Sequence, residues 1–235
     1  MPDTKVKGIV DIVVLFDITG SMGPCIEAVK ANLKSFVATL TDKDANDENP
    51  IKDWRMKVCG YRDYEQNPEN WFVDNPFVTD VAIVEAQIDD SKMQVSGGGD
   101  EPESLLDALH KIATMDQSGL QDGVDPNKWR ARGTCARSII FFTDASFKLM
   151  SIPEAPGGNV EDILTKLTQS RIILNGFFPP NDKYEDLGTM DGAYCKPIPD
   201  LNKLIETEPD VFAQLLKVLA KTIVKSSYDQ VITLD

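Results

Sequence analysis

Three oxygen-bearing side chains stand at alternate positions directly after an apolar run near the N-terminus. Residues 12–16 are apolar, Asp17, Thr19 and Ser21 follow, and the next residues repeat apolar side chains at helical spacing. An apolar run bounded by turn residues is typical of a buried strand. A carboxylate and two hydroxyls on one strand-to-helix turn are hard oxygen ligands, which suit a hard divalent cation. The turn could therefore bind such a cation, or its side chains could cap the following helix.

A second carboxylate follows another apolar run. Residues 139–142 are Ile-Ile-Phe-Phe, and Thr143 and Asp144 come directly after them. The carboxyl ends of neighbouring parallel strands meet at one edge of a sheet, where open α/β folds bind their ligands. We therefore expect Asp144 to emerge beside Asp17 if the two strands are neighbours.

A glycine-rich segment lies between these two strands. Residues 96–104 read Ser-Gly-Gly-Gly-Asp-Glu-Pro-Glu-Ser, without the Lys-Ser/Thr pair of a phosphate loop or the spacing of a dinucleotide fingerprint. Pro102 suits the first turn of a helix, which makes Asp100 or Glu101 the predicted N-cap. Asp100 is alternatively a further ligand of the cation, bound directly or through water. Glu103 is predicted to lie in the first helical turn, where the helix dipole favours an acidic residue.

Strand-like and helix-like segments alternate along the chain. Strands are predicted at residues 8–16, 56–61, 138–143 and 171–178, and helices at 22–40, 80–89, 102–115, 160–170 and 209–225. This alternation predicts an α/β fold, doubly wound, with a mostly parallel central sheet and helices on both faces. Residues 230–234 are either a short final strand or a tail.

Three polar segments interrupt this alternation at residues 41–53, 63–76 and 119–133. We interpret them as insertions in a single domain that spans residues 1–235. Trp129 is expected to anchor the third insertion. Arg62 and Asp63, at the end of a predicted strand, could support the ligands of the site from outside, but an ordinary surface ion pair is expected.

Charge and cysteine usage exclude several classes of protein. The net charge of −14 argues against binding to nucleic acid or to anionic membranes, and is compatible with cation binding. Neither a signal peptide nor an apolar stretch of about 20 residues is evident, so a cytoplasmic location is expected. The cysteines are far apart and form no CxxC pair, which predicts reduced, mostly buried thiols rather than a zinc site. They are Cys25, Cys59, Cys135 and Cys195.

The three motifs together resemble the von Willebrand factor A (vWA) family. That family carries a metal-ion-dependent adhesion site (MIDAS), written DxSxS, followed by a Thr on a distant loop and an Asp after a strand. Here the first motif reads Asp17-Ile18-Thr19-Gly20-Ser21, in which a Thr hydroxyl replaces a Ser hydroxyl of the same hydrogen-bonding capacity. Asp144 matches the last position, and Asp100 stands where the family has Thr.

The resemblance spans about residues 6–178, and the glycine-rich loop indicates one branch of the family. Its Gly-Gly-Asp-x-Pro-Glu pattern, together with the run Gly-Tyr-Arg-Asp-Tyr at residues 60–64, is similar to a bacterial and protist branch that includes A domains accompanying alpha-kinases. An Asp in place of the family's Thr adds an anionic oxygen. If Asp100 contacts the ion directly, the metal is held more tightly and attracts a partner's carboxylate less strongly.

The resemblance implies a protein-interaction module rather than an enzyme. Mg²⁺, or alternatively Mn²⁺ or Ca²⁺, would be held directly by Thr19 and Ser21, and by Asp17 and Asp144 directly or through water. An open coordination position would accept an acidic side chain of a protein partner. Bacterial domains of this kind are often intracellular and act as scaffolds beside kinases, phosphatases or ATPases.

Two alternatives remain open at this point. One is a Mg²⁺-dependent phosphatase or hydrolase with Asp17 as the nucleophile, but such enzymes need a second Asp where this chain has Thr19. His110 is the only histidine, so no Ser-His-Asp set can form. The other alternative is a vWA scaffold whose metal site is vestigial.

Overall fold

A six-stranded sheet forms the centre of the protein in the computed structural model, which describes residues 7–46, 49–97 and 102–229. The strand order is β3-β2-β1-β4-β5-β6, with β3 antiparallel to β2 and all other neighbours parallel. The strands are β1 (Ile9–Asp17), β2 (Asp53–Tyr61), β3 (Phe72–Asp74), β4 (Ala136–Phe142), β5 (Ile172–Phe178) and β6 (Tyr194–Pro197). The helices are α1 (Gly23–Thr41), α2 (Val81–Ile88), α3 (Leu105–Ala113), α4 (Val160–Gln169), α5 (Leu201–Thr207) and α6 (Pro209–Asp229).

Helices cover both faces of the sheet. Successive side chains of a strand point to opposite faces, so β1 contributes Val14 to one core and Leu15 to the other. Helices α1, α2, α5 and α6 pack on the first face, and α3 and α4 pack on the second. The predicted doubly wound α/β fold with a mostly parallel sheet is confirmed. None of the helices in the described ranges is long and apolar enough to cross a membrane.

Several element boundaries differ from the prediction. The helix predicted at residues 102–115 begins at Leu105, with Ser104 as its N-cap residue instead of Asp100 or Glu101. The insertion predicted at residues 63–76 contains β3, which pairs with β2 at the edge of the sheet. No element is predicted from the sequence for residues 194–207, where the structure has β6 and α5. Residues 230–234 lie outside the described residues.

The insertion at residues 119–133 is fastened to the domain by its aromatic residue. Trp129 is fully buried, its indole N–H donates to the carbonyl oxygen of Ile112 at 3.1 Å, and its ring lies 5.2 Å from that of Phe77. This confirms Trp129 as the anchor.

Three of the cysteine thiols are buried, the fourth is half-buried, and all four are free.

The close packing of β5 against an aromatic stack leads to a first prediction. A Cβ atom at Gly176 would overlap the ring of Phe141, which is itself stacked on Phe178 and Tyr184. Gly176→Ala should therefore lower the free energy of unfolding by about 1–3 kcal/mol, the usual cost of overpacking a core. Urea denaturation measures the change. Gly123→Ala is the control, because a Cβ there meets nothing within 4 Å; equal stability of the two variants would contradict this account.

Candidate metal centre

The two strands that carry the predicted ligands are neighbours. Strand β1 lies between β2 and β4, and Phe16 of β1 is in register with Phe142 of β4. The strand order reverses at this point, so a crevice forms at the carboxyl ends of β1 and β4. Asp17 and Asp144 therefore emerge at the same edge of the sheet, as the sequence predicts.

Asp17 is fully buried and its carboxylate is held by three hydrogen bonds. One oxygen accepts the backbone N–H of Thr19 at 2.9 Å and the Thr19 hydroxyl at 2.6 Å, and the other accepts the Thr143 hydroxyl at 2.9 Å. Burial raises the pKa of Asp17 to about 6, with a small contribution from the charge of Asp144 and against the lowering effect of these hydrogen bonds. The site thus holds a carboxylate that is desolvated but rigidly oriented.

Neither hydroxyl of the turn forms a helix-capping hydrogen bond in the described structure. The Thr19 hydroxyl donates its single proton to Asp17, which leaves its lone pairs available to a cation. Ser21 lies in the short 3-10 turn Gly20–Met22, is exposed, and forms no side-chain hydrogen bond to a described residue. Helix α1 begins at Gly23 with Met22 at its N-cap, so the capping alternative is wrong for this turn.

Among the described residues, Asp144 makes one weak polar contact. The side-chain amide of Asn202 lies 3.5 Å from its carboxylate and also donates to the carbonyl oxygen of Ser21 at 3.0 Å. The amide oxygen of Asn202 is buried without a hydrogen-bond partner among the described residues. Asn202 belongs to α5, which the sequence does not predict, so its position at the site could not be found from the chain alone.

Glu103 is a third carboxyl group at this edge, and its predicted first-turn role is wrong. It precedes α3, and its backbone is bound to the loop after β4, donating to Ser146 O at 2.8 Å and accepting from Lys148 N at 3.2 Å. The side chain is buried, with one carboxyl oxygen unpartnered in the described structure. Burial raises the pKa of Glu103 to about 7, and the charges of Asp17, Asp63 and Asp144 contribute in the same direction.

The described residues on either side of the glycine-rich loop lie against the site. The backbone N–H of Gly20 donates to Gly97 O at 3.1 Å, and that of Ser96 donates to Ile18 O at 3.1 Å. Glu103 follows the loop. Asp100 itself lies outside the described residues, so its role as a ligand remains a prediction.

The surface ion pair predicted between Arg62 and Asp63 is wrong. Asp63 is buried and pairs with Lys148 at 2.6 Å. The Arg62 guanidinium instead donates to the carbonyl oxygens of Lys92 at 3.1 Å and Gln94 at 2.7 Å. Arg62 therefore stabilises, by these hydrogen bonds, the segment that leads into the glycine-rich loop.

The carboxylate and hydroxyl oxygens at this edge are the kinds of ligand that a hard cation prefers. Asp17, Glu103 and Asp144 act on one another electrostatically, yet no lysine or arginine of the described chain lies within 4.0 Å of any of them. No group of three or more His, Cys, Asp or Glu side chains is arranged as metal ligands within the described ranges. Asp17, Glu103 and Asp144 thus do not form such a group by themselves. The predicted set also includes the hydroxyls of Thr19 and Ser21, and Asp100, which lies outside the described residues.

Comparison with known proteins identifies the fold and no family. No family model matches the chain, and no curated protein is significantly similar to it. Among solved structures, the pilus adhesin SpaC from Lactobacillus rhamnosus GG, in its open conformation, superposes with a TM-score of 0.52 at 13% sequence identity. The match covers 92% of this chain but only 30% of the adhesin. At this identity the likeness concerns the fold alone.

Proposed function

We propose that the protein is a divalent-metal-dependent interaction module of the vWA type, which binds an acidic side chain of a protein partner. In this proposal it serves as an intracellular scaffold or regulatory component and catalyses no reaction. One observation carries the proposal: the hydroxyl of Thr19, whose proton goes to Asp17, and the exposed hydroxyl of Ser21 stand at the switch point of the sheet with Asp17 and Asp144. Neither carboxylate has a lysine or arginine of the described chain within 4.0 Å.

The residues divide into two roles around a cation. Thr19 and Ser21 would hold Mg²⁺, or Mn²⁺ or Ca²⁺, through their hydroxyl oxygens, and Asp144 would hold it directly or through water. Both oxygens of Asp17 already accept hydrogen bonds, which favours an indirect role in which Asp17 orients Thr19. When bound, the cation supplies positive charge at an acidic edge, and this charge would attract a carboxylate from the partner.

The geometry around Asp17 also supports a binding role over catalysis. A nucleophile must reach its substrate, but Asp17 is 0% exposed and bound by Thr19 and Thr143. The neighbouring position that would need an acid or base is Thr19. We therefore propose that the phosphatase alternative does not apply.

Removal of the Ser21 hydroxyl should weaken metal binding without disturbing the fold. Ser21 is exposed and its hydroxyl forms no hydrogen bond with a described residue, so its replacement should change the stability of the metal-free fold little. Titration calorimetry with MgCl₂ and MnCl₂ should show roughly 10–100-fold weaker binding to Ser21→Ala, a loss typical of perturbed metal sites. Ser91→Ala is the matched control, because Ser91 is also an exposed serine in a 3-10 turn.

The same variants test the interaction. A partner that is retained in Mg²⁺, lost in EDTA and lost on Ser21→Ala, but kept on Ser91→Ala, supports the proposal. Replacement of the partner's contacting Glu or Asp by Gln or Asn should then abolish binding. A wild-type protein that binds no divalent ion would instead favour the scaffold with a vestigial site, and Mg²⁺-dependent release of phosphate from a phosphoester would favour the enzyme.

A further inference from the structure

A cavity of about 580 Å³ lies at the edge of the sheet opposite to Asp17. It is bounded by the beginnings of β4 and β5, by the last turns of α4, and by the segment at residues 189–191. Its volume is in the range of pockets that bind small molecules. Nothing in the proposed metal-dependent function uses this cavity.

Three arginines converge on this cavity in a protein with a net charge of −14. Arg132 and Arg171 are exposed, and neither forms an ion pair or a side-chain hydrogen bond with any residue of the described ranges. Asp191 is the one acidic residue in the described lining, and it has no arginine or lysine within 4.0 Å. The lining therefore carries three arginines and one aspartate, and none of the arginines forms an ion pair within the described ranges.

The third arginine is built into the wall of the cavity. Arg137 is buried, and its guanidinium donates to Ser170 O at 3.1 Å, Gln117 Oε1 at 2.7 Å and Arg130 O at 2.7 Å. All three acceptors are neutral. Burial lowers the pKa of Arg137, with a small contribution from the charge of Arg132, against the raising effects of Cys135 and Asp11. The charge of Asp11 acts on Arg137, but no carboxylate of the described residues lies within 4.0 Å of its guanidinium, so an anion in the cavity would be its first close counter-charge.

Arg171 is held in an unfavourable backbone conformation. Its φ of +52° is the one positive value among the described residues other than glycine. It follows Ser170, the C-cap of α4, at a position where helices usually place glycine. A left-handed conformation costs a non-glycine residue about 1–2 kcal/mol. The structure thus retains a long cationic side chain at the cavity where a glycine would relieve the strain.

The remaining lining is largely apolar and includes Leu164, Ile172, Ile173 and Met190. Such a surface suits the carbon body of a ligand, while guanidinium groups bind phosphate through paired N–H donors. We propose that this cavity, which we call the arginine pocket, binds a small phosphorylated organic molecule. The phosphoryl group contacts Arg132, Arg137 and Arg171, and the organic part packs on the apolar wall.

The test uses phenyl phosphate and AMP as probes, with phenol and adenosine as their uncharged counterparts. Binding is followed by titration calorimetry and by ¹H–¹⁵N chemical shifts, in EDTA so that a cation at the Asp17 edge does not contribute. Both phosphorylated probes should bind saturably with shifts at Ile172, Ile173 and Arg137, and both uncharged counterparts should bind at least tenfold more weakly. Loss of the proposed metal-dependent function would leave this result unchanged.

Arg171→Gly provides a variant that should still fold. Glycine accepts a positive φ, so the melting temperature should stay equal or rise, while probe affinity should fall about 10–100-fold with the loss of a charge-assisted contact. Lys221→Gln is the control, because it removes one exposed positive charge on α6, across the sheet from the pocket. Absence of saturable binding, equal weakening by both variants, or equal binding of benzoate and phenyl phosphate would overturn the proposal.

Discussion

Asp11→Asn is expected to lower the free energy of unfolding by about 3–5 kcal/mol, the usual effect of breaking a buried ion pair by removing one partner. Asp11 lies on β1 and is fully buried, and its two oxygens accept two N–H groups of the Arg55 guanidinium. The same carboxylate accepts the backbone N–H of Arg130 at 2.9 Å. Neutralising Asp11 leaves Arg55, itself only 3% exposed, charged and without an acidic partner among the described residues.

The expected loss extends to the insertion at residues 119–133. The Arg55 guanidinium also donates to the carbonyl oxygens of Asp125 and Lys128, each at 3.0 Å, and lies over the ring of Phe77. Asp11 thereby orients the arginine that fastens this insertion to the sheet. Limited proteolysis of Asp11→Asn should cleave within residues 119–133 earlier than in the wild-type protein, in addition to the shift measured by urea denaturation.

Asp53→Asn is the matched control for this prediction. Asp53 also pairs with an arginine, with both of its oxygens 2.8 Å from the same Arg130 nitrogen, but its side chain is 49% exposed. Exposed pairs contribute at most about 1 kcal/mol, because solvent screens the charges. Similar small losses for Asp11→Asn and Asp53→Asn would show that burial does not govern the strength of this network.

The parts of the fold that could be predicted are those with a strong local pattern. The apolar runs of β1 and β4 mark central strands that are buried on both faces, and their common edge follows from parallel pairing. Strands β3 and β6 have only three and four residues and lie at the edges of the sheet. Such strands depend on the neighbour that they pair with, which no local pattern records.

The residues of the candidate site likewise divide into those that a local sequence pattern predicts and those that it does not. Asp17, Thr19 and Ser21 share one turn, so their proximity can be read from their spacing, and Asp144 follows from strand pairing. Glu103 and Asn202 are placed at the site by contacts between distant parts of the chain. Glu103 is held by a backbone bridge to Phe147 in the loop after β4, and Asn202 is brought there by helix α5. Glu103 resembles a first-turn helix residue in sequence, because a Pro-Glu pair commonly opens a helix. The bridge to Phe147 delays the start of α3 and buries this carboxyl group instead.

Asp144→Asn is expected to abolish the stabilisation of the protein by Mg²⁺ without destabilising the metal-free form. A ligand at about 100 times its dissociation constant stabilises the folded state by about 2.7 kcal/mol. For a chain of 235 residues this corresponds to a rise of roughly 5–10 °C in melting temperature. In the variant the Mg²⁺-induced rise should be below about 2 °C, as measured by thermal unfolding with MgCl₂ and with EDTA.

The metal-free behaviour distinguishes a metal ligand from a structural residue. Within the described ranges the Asp144 carboxylate has a single weak contact, with Asn202 at 3.5 Å, and its charge opposes ionisation of both Asp17 and Glu103. An Asn of similar size removes that repulsion and loses almost no hydrogen bonding, so the melting temperature in EDTA should stay equal or rise by a few degrees. A fall in EDTA would instead assign Asp144 to the structure of the edge.

Asp229→Asn is the control, because it removes one exposed carboxylate at the end of α6 and should leave the Mg²⁺ response intact. A wild-type protein without any Mg²⁺, Mn²⁺ or Ca²⁺ response would contradict the metal site itself. The informative result is the combination of a lost metal response with an unchanged or higher stability in EDTA. Repulsion among Asp17, Glu103 and Asp144 that a cation relieves produces this combination, whereas a structural role for Asp144 does not.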